Sequence, residues 1–268
     1  MMIAIVIILI LFLLFVLSTM GRRNHPGLEK LRGWNYAHRG LHGNGCPENS
    51  MAAFRKALEH GYGIELDVHM LADGNLAVIH DSLLKRTTGM EGKIEDLNTV
   101  QLSDCRLEGT DETIPEFRQV LELYDGKAPL IVELKPVGGN HAALCETVCA
   151  MMDDYNGVFC MESFAPRCIF WLKKNRPDII RGQLTENYFK SASKLPAPVK
   201  FMLQHQMENF LCMPDFVAYR YSDRKTFSNL LVRKIWGIQG VSWTLKNRDE
   251  YDAAVKEEWI PIFEGFEP

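Results

Sequence analysis

From Met2 to Leu17 every residue is Ile, Leu, Val, Phe, Ala or Met, with no charge in the run. Extended by Ser18-Thr19-Met20, it approaches the ~20 apolar residues that cross a bilayer. A cleaved signal peptide is the competing reading. It would carry a basic segment before a shorter apolar core, yet no Lys or Arg precedes this run and no small-x-small site follows it. The pattern predicts one N-terminal transmembrane helix over residues 1–20, a juxtamembrane segment over 21–33 and a catalytic-sized domain over 34–268.

Beyond Gly33 the periodicity alternates between two values. Asn35 to His38 and Ile64 to Met70 read as strands, separated by a helix that Asn49-Ser50 caps and in which Met51, Phe54, Ala57 and Leu58 recur at helical spacing. Asp73-Gly74 is a hairpin signal leading to a strand over Leu76 to His80. Leu83 to Ile114 is irregular and polar, a small insertion in which Asn98-Thr99-Val100-Gln101 reads as a capping box. Pro115 opens a helix to about Tyr124. Strands then follow at Pro129–Leu134, Val158–Met161, Ile179–Leu184, Phe216–Tyr219, Gly240–Leu245 and Trp259–Glu264. Helices intervene at Ala142–Met152, Pro166–Asn175, Lys200–Asn209, Ser222–Lys234 and Asp249–Glu257. Helix-length connections argue parallel pairing. About eight such alternations in some 235 residues fit an α/β fold of the (β/α)8 TIM-barrel type, which usually takes ~250 residues. An open doubly wound sheet is the alternative, but no G-x-G-x-x-G opens the first helix.

Composition changes this picture little. Hydrophobic content of 47% with a formal charge of −4 excludes a basic nucleic-acid binder and leaves the oligomeric state open. Charge matters at one place: Arg22, Arg23, Lys30 and Arg32 follow the apolar run and nothing basic precedes it. Retention of basic flanks predicts a single-pass protein of the cell membrane with its catalytic domain on the cytoplasmic side. Seven cysteines without a pairing pattern agree with a reducing compartment.

The strand ends carry the chemistry. Glu65 and Asp67 lie two apart in a strand and project to one face. Side by side, two carboxylates repel unless one is protonated or a cation lies between them. Glu133, near the end of Leu130-Ile131-Val132-Glu133, completes an oxygen-rich set suited to one divalent cation, Mg²⁺ or Ca²⁺. His38 and His80 each end a strand beside a charged residue, and two imidazoles can divide proton donation and acceptance. His69 shares a face with Glu65 and Asp67 and is a third candidate. Arg39 offers a planar fork to a phosphate, and Lys135 could pair with Glu133 or with substrate. Imidazoles, a hard cation and basic groups together are what phosphodiester hydrolysis requires.

Five ordered pieces make the set specific: Ala37-His38-Arg39-Gly40, Pro47-Glu48-Asn49-Ser50, Glu65-Leu66-Asp67-Val68, Val78-Ile79-His80-Asp81 and Val132-Glu133-Leu134-Lys135. Together they resemble the glycerophosphodiester phosphodiesterase family, within the phospholipase C-like phosphodiesterases. Arg86-Thr87-Thr88-Gly89, Glu112-Thr113-Ile114-Pro115, Glu162-Ser163-Phe164 and Val241-Ser242-Trp243-Thr244 extend the likeness, which runs from Tyr36 to the C-terminus. It implies a TIM barrel with an insertion after the second histidine and a cation held by Glu65, Asp67 and Glu133. It also implies that His38 protonates the leaving alcohol, that His80 accepts a proton from the attacking hydroxyl, and that Arg39 and Lys135 hold the phosphate. Glu48 and Asn49 match positions beside the metal, and Trp243 matches one lining the substrate pocket. The chain departs from the family at its end, Ile262-Phe263-Glu264-Gly265, where an Asp-containing strand and loop are usual; Glu264 would take a rim role.

The expected activity is hydrolysis of glycerophosphodiesters to an alcohol and glycerol 3-phosphate in lipid metabolism. Tethering near a bilayer makes lysophospholipids candidate substrates, a lysophospholipase D activity. A catalytically silent, membrane-tethered binder of phospholipid head groups is the alternative of another class. A sphingomyelinase D relative is a lesser one, against which the intact Pro47-Glu48-Asn49 argues.

Overall fold

Both faces of a barrel strand are covered, so its residues are apolar in nearly unbroken runs. The computed structural model, which describes all 268 residues, bears this out: Leu130–Leu134 is buried throughout, and Gly63–Met70 at every position but the last. The elements run α1 (Met2–Ser18), β1 (Tyr36–His38), α2 (Met51–Glu59), β2 (Gly63–Met70), β3 (Leu76–Val78), α3 (Lys85–Thr88), α4 (Phe117–Tyr124), β4 (Leu130–Leu134), α5 (His141–Met152) and β5 (Phe159–Ser163). They continue α6 (Pro166–Asn175), β6 (Arg181–Thr185), α7 (Ala197–Gln204), α8 (Asn209–Cys212), β7 (Phe216–Arg220), α9 (Phe227–Leu230), β8 (Gln239–Leu245), α10 (Arg248–Lys256) and β9 (Ile260–Phe263). Parallel pairing runs β1-β9-β8-β7-β6-β5-β4-β2 and closes through β1 and β2, an eight-stranded TIM barrel. β3 pairs antiparallel with β2 as the predicted hairpin and stands outside the barrel. The insertion folds around a separate small core that includes Ile79, Ile94, Leu102 and Ile114. Its capping box forms as read, with Asn98 and Gln101 bonding reciprocally.

Two helices differ from expectation. The span Lys200–Asn209 is split into α7 and α8 because Gln206 takes a positive φ of 59°. The helix expected from Ser222 starts at Phe227, where the Thr226 hydroxyl accepts from the Asn229 amide, and runs on as a π turn over Leu231–Ile235.

No helix is long and apolar enough to cross a membrane. α1 contains the predicted apolar run but stops at 17 residues, Met2–Ser18, so the structure does not show the span expected over residues 1–20. The Ser18 and Thr19 hydroxyls turn back onto the Phe15 and Val16 carbonyls, and Thr19 is wholly buried against the barrel. None of the residues of α1 is buried. The stretch after it packs on the N-terminal face of the barrel. Arg22 grips Asp215 through Nε and Nη2 at 2.5 and 2.6 Å, and Leu28 and Leu31 join the inner core with Tyr36, Ile131 and Phe216.

Candidate active site

In a TIM barrel, chemistry gathers at the C-terminal ends of the strands. The register here sets His38 level with Glu65, then Asp67 level with Glu133, and Glu133 level with Glu162. Inward-pointing side chains on four neighbouring strands, β1, β2, β4 and β5, therefore converge. Donor oxygens of Glu65, Asp67 and Glu133 lie within 4.8 Å of one another. All three residues are buried, as is Glu162.

Buried acids at this spacing cannot all be ionised without compensation. Burial, then the charges of Asp67, Glu133 and Glu162, push the Glu65 carboxyl well above its usual range. Burial likewise raises Glu133 to about 7, against the opposing pull of Lys135. Asp67 resists: burial would raise it, but Lys135, His80, Arg39 and the Asn49 amide hold it well below the ordinary value. Asn49 Nδ2 donates to Asp67 at 2.8 Å. Lys135 Nζ stands 3.0 Å from Asp67 and 2.7 Å from Glu133. Asp67 Oδ1, buried, has the Lys135 ammonium as its one charged partner. An all-oxygen set in which burial and mutual repulsion raise Glu65 and Glu133 fits a hard divalent cation.

Each imidazole is oriented by a carboxylate at Nδ1. His38 meets Glu264 and His80 meets Asp81, both at 2.6 Å. His38 Nε2 is then directed at the acidic trio, 3.8 Å from Glu65. Burial lowers the His80 pKa to about 4, so that ring is neutral at ordinary pH. Burial also lowers His38, and Glu264 opposes the shift. The backbone bends sharply between these groups. Arg39 takes a positive φ of 54°, and Gly40 follows at 82°, where a Cβ would come within 2.9 Å of Ala53. That turn sets the Arg39 guanidinium 2.9 Å from Glu48 and 3.4 Å from Asp67. Glu48 also receives Arg86, which in turn grips Asp81. Arg39 and Lys135 thus reach the site, each neutralised by its carboxylates.

The structure brings together His38, His80, Arg39, Lys135, Glu65, Asp67, Glu133, Glu48 and Asn49. It removes His69, whose Nδ1 meets Glu95 at 2.7 Å and whose Nε2 lies 3.2 Å from the His80 carbonyl, so it braces the backbone of His80. Trp243 lies across the barrel at its mouth, donating to the Ala218 carbonyl at 3.1 Å, edge-on to Phe164, with Arg220 over its ring. Sequence reasoning missed Glu162, which it quoted but left without a role, and His42, which stands with His38 and Glu264. A second strand-end Glu level with Glu133 was the available signal for Glu162; nothing marked His42.

A family model described as "Glycerophosphoryl diester phosphodiesterase family" matches residues 38–258. The chain belongs to that family. A glycerophosphodiester phosphodiesterase of Bacillus altitudinis is 43% identical over 107 residues, 37% of this chain and 43% of that relative. Human glycerophosphodiester phosphodiesterase 1 is 27% identical over 252 residues, covering 80% of this chain and 72% of the relative. A lysophospholipase D of Rattus norvegicus is 33% identical over 132 residues, 44% of this chain and 40% of the relative. The chain thus spans about half or less of the length of several curated relatives it matches. In fold it is similar to an Oleispira antarctica phosphodiesterase in complex with sn-glycerol-3-phosphate, with a TM-score of 0.70 at 22% identity, covering 91% of this chain and 95% of that one.

Proposed function

We propose that the chain hydrolyses glycerophosphodiesters to an alcohol and glycerol 3-phosphate. The observation that carries this reading is the pair of imidazoles, each held at Nδ1 by its own carboxylate, beside three converging buried acids. Family membership and the product-bound phosphodiesterase of the same fold support it. His80, neutral at working pH, accepts the proton of the attacking hydroxyl, and His38 gives one to the departing alcohol. Glu264 keeps a negative charge beside His38 and stabilises its protonated form. Glu65, Asp67 and Glu133 would hold one divalent cation, which when bound polarises the phosphoryl oxygens. Arg39 and Lys135 supply the remaining positive charge to the phosphate, and Trp243 with Phe164 shapes the leaving-group side.

The test is glycerophosphocholine hydrolysis by the full chain, with and without EDTA. Glu65→Ala, His38→Ala and His80→Ala should each lower kcat by at least about 10²-fold, the usual scale of an acid–base contribution. EDTA should abolish turnover and added Mg²⁺ or Ca²⁺ restore it. Unchanged turnover in a variant removes that residue from the site. Binding of glycerophosphocholine without turnover would favour the silent head-group binder.

We also propose that α1 anchors the enzyme in the cell membrane, barrel on the cytoplasmic side, with lysophospholipids as substrates. Its 17 residues rise about 26 Å, a few Å short of the hydrocarbon core, and such mismatch costs only fractions of a kcal/mol per Å. The basic flank supports the orientation less than the sequence suggests, since Arg22 is bound to Asp215 and Arg23 to the Trp236 carbonyl. Turnover of glycerophosphocholine with none of lysophosphatidylcholine in vesicles would remove the lipid substrate and leave the phosphodiesterase.

A further inference from the structure

The flank built by the β6–α7 loop, α7, α8 and α9 presents large apolar side chains to the outside. Phe189, Phe201, Phe210, Leu211, Phe227 and Leu230 are each about half exposed. Together they leave roughly 500 Å² of apolar surface open, the size of the largest patch on a typical monomer, which is often a functional surface.

The patch is continuous with α1. Phe227 meets Phe12 and Phe15 at 6.2 and 6.4 Å between ring centroids. Phe15 meets the His205 ring, which lies 4.4 Å from that of Phe201, and Lys200 covers Phe189. The helix is fixed there rather than resting loosely: Trp236 Nε1 donates to the Val16 carbonyl and the Thr19 hydroxyl, and Asn209 to the Thr19 carbonyl.

The same flank is basic. Lys194, Lys225 and Lys234 are exposed and without an acidic partner, and Lys190 is exposed but paired with Asp223 at 3.3 Å; the other acids between Asn187 and Trp236, Glu208 and Asp215, are buried. We propose that this flank lies in the head-group layer of a bilayer containing anionic phospholipid, alongside an inserted α1; the inference rests on the membrane placement of α1 given above.

Depth follows from the contacts. Phe12 precedes Ser18 by six residues, about 9 Å of helix. Its contact with Phe227 therefore draws α9 that far along α1, the depth of about 5–10 Å at which interfacial apolar faces are buried. Lys194, Lys225 and Lys234 would then meet the anionic head groups. A second copy of the chain fits less well, because an isologous contact would bring these lysines against their own copies. The β6–α7 loop also carries Tyr188, which packs edge-on to Phe164 at the barrel mouth. Docking on this side therefore brings the leaving-group wall to the lipid surface.

The test uses the full chain reconstituted into vesicles of phosphatidylcholine and phosphatidylglycerol. Photoreactive benzoylphenylalanine replaces Phe201, Phe210, Leu9 of α1, or the exposed Glu122 of α4, and adducts are read by mass. Lipid adducts at 201 and 210 several-fold above those at 122 are expected. Chain-to-chain adducts at 201 or 210, or background yields there while position 9 labels lipid, overturn the flank proposal and leave the anchor standing. Background yields at position 9 as well bring down both.

Discussion

His38 and His80 are held alike and placed differently. His80 leans on Asp81, its neighbour in sequence, whereas His38 depends on Glu264, which arrives 226 residues later at the end of the last strand. Glu264 also pairs with Lys246 at 2.6 Å. Its carboxylate acts through His38, as a positioning residue that raises the tendency of the ring to hold a proton. Glu264→Gln should lower kcat by about 10²-fold. Removing the anion lowers the His38 pKa, so the alkaline limb of the pH–rate profile should move to lower pH. Glu264→Asp should recover part of both. A proportional loss with an unmoved limb would leave Glu264 a merely structural role. The strand-end acids and histidines were legible in the sequence because a β-strand fixes which side chains share a face. Glu264 was assigned only to the rim, because its partnership with His38 depends on β1 and β9 being neighbours in a closed barrel.

At the scale of elements, the break between α7 and α8 has a cost that pH exposes. Glu208 stands immediately before α8 with both carboxylate oxygens buried and without a hydrogen-bond partner. Burial raises its pKa from 4.5 to about 8. The folded chain thus keeps a proton that the unfolded chain releases, and stability falls as pH rises from about 4.5 through 8. By pH 7 the loss is about 3 kcal/mol. Glu208→Gln removes the ionisation, so the variant should melt higher than the parent at pH 8 and close to it at pH 5. Parallel melting profiles across that range would refute the account. Periodicity predicted one continuous helix over Lys200–Asn209, since the apolar spacing carries through the break. Only the positive φ of Gln206 interrupts it, and glutamine gives no sequence signal for that conformation.

At the scale of the molecule, the eight barrel strands were legible because each is a short apolar run bounded by turn residues and separated by a helix. The path of residues 19–33 was not, since a short polar stretch after an apolar run reads as a linker. Packing makes it part of the barrel. Leu28 and Leu31 are buried at 7% and 2% exposure, and Arg22 neutralises the fully buried Asp215. Truncating a pair of core leucines costs about 2–5 kcal/mol each, and stranding a buried acid about 3–5 more. A total stability of about 5–15 kcal/mol leaves little after that. A chain beginning at residue 34 should therefore aggregate or melt far below one beginning at residue 21. Equal melting temperatures would show the segment to be dispensable.

The two leucines stopper the end of the cylinder opposite the chemistry, on the same few residues that lead out of α1. Whatever holds the N-terminal helix in place also holds the stopper, so a pull on the one is felt in the other. An expression design that trims the greasy leader for convenience has about a dozen residues in which to err, and erring late uncorks the barrel.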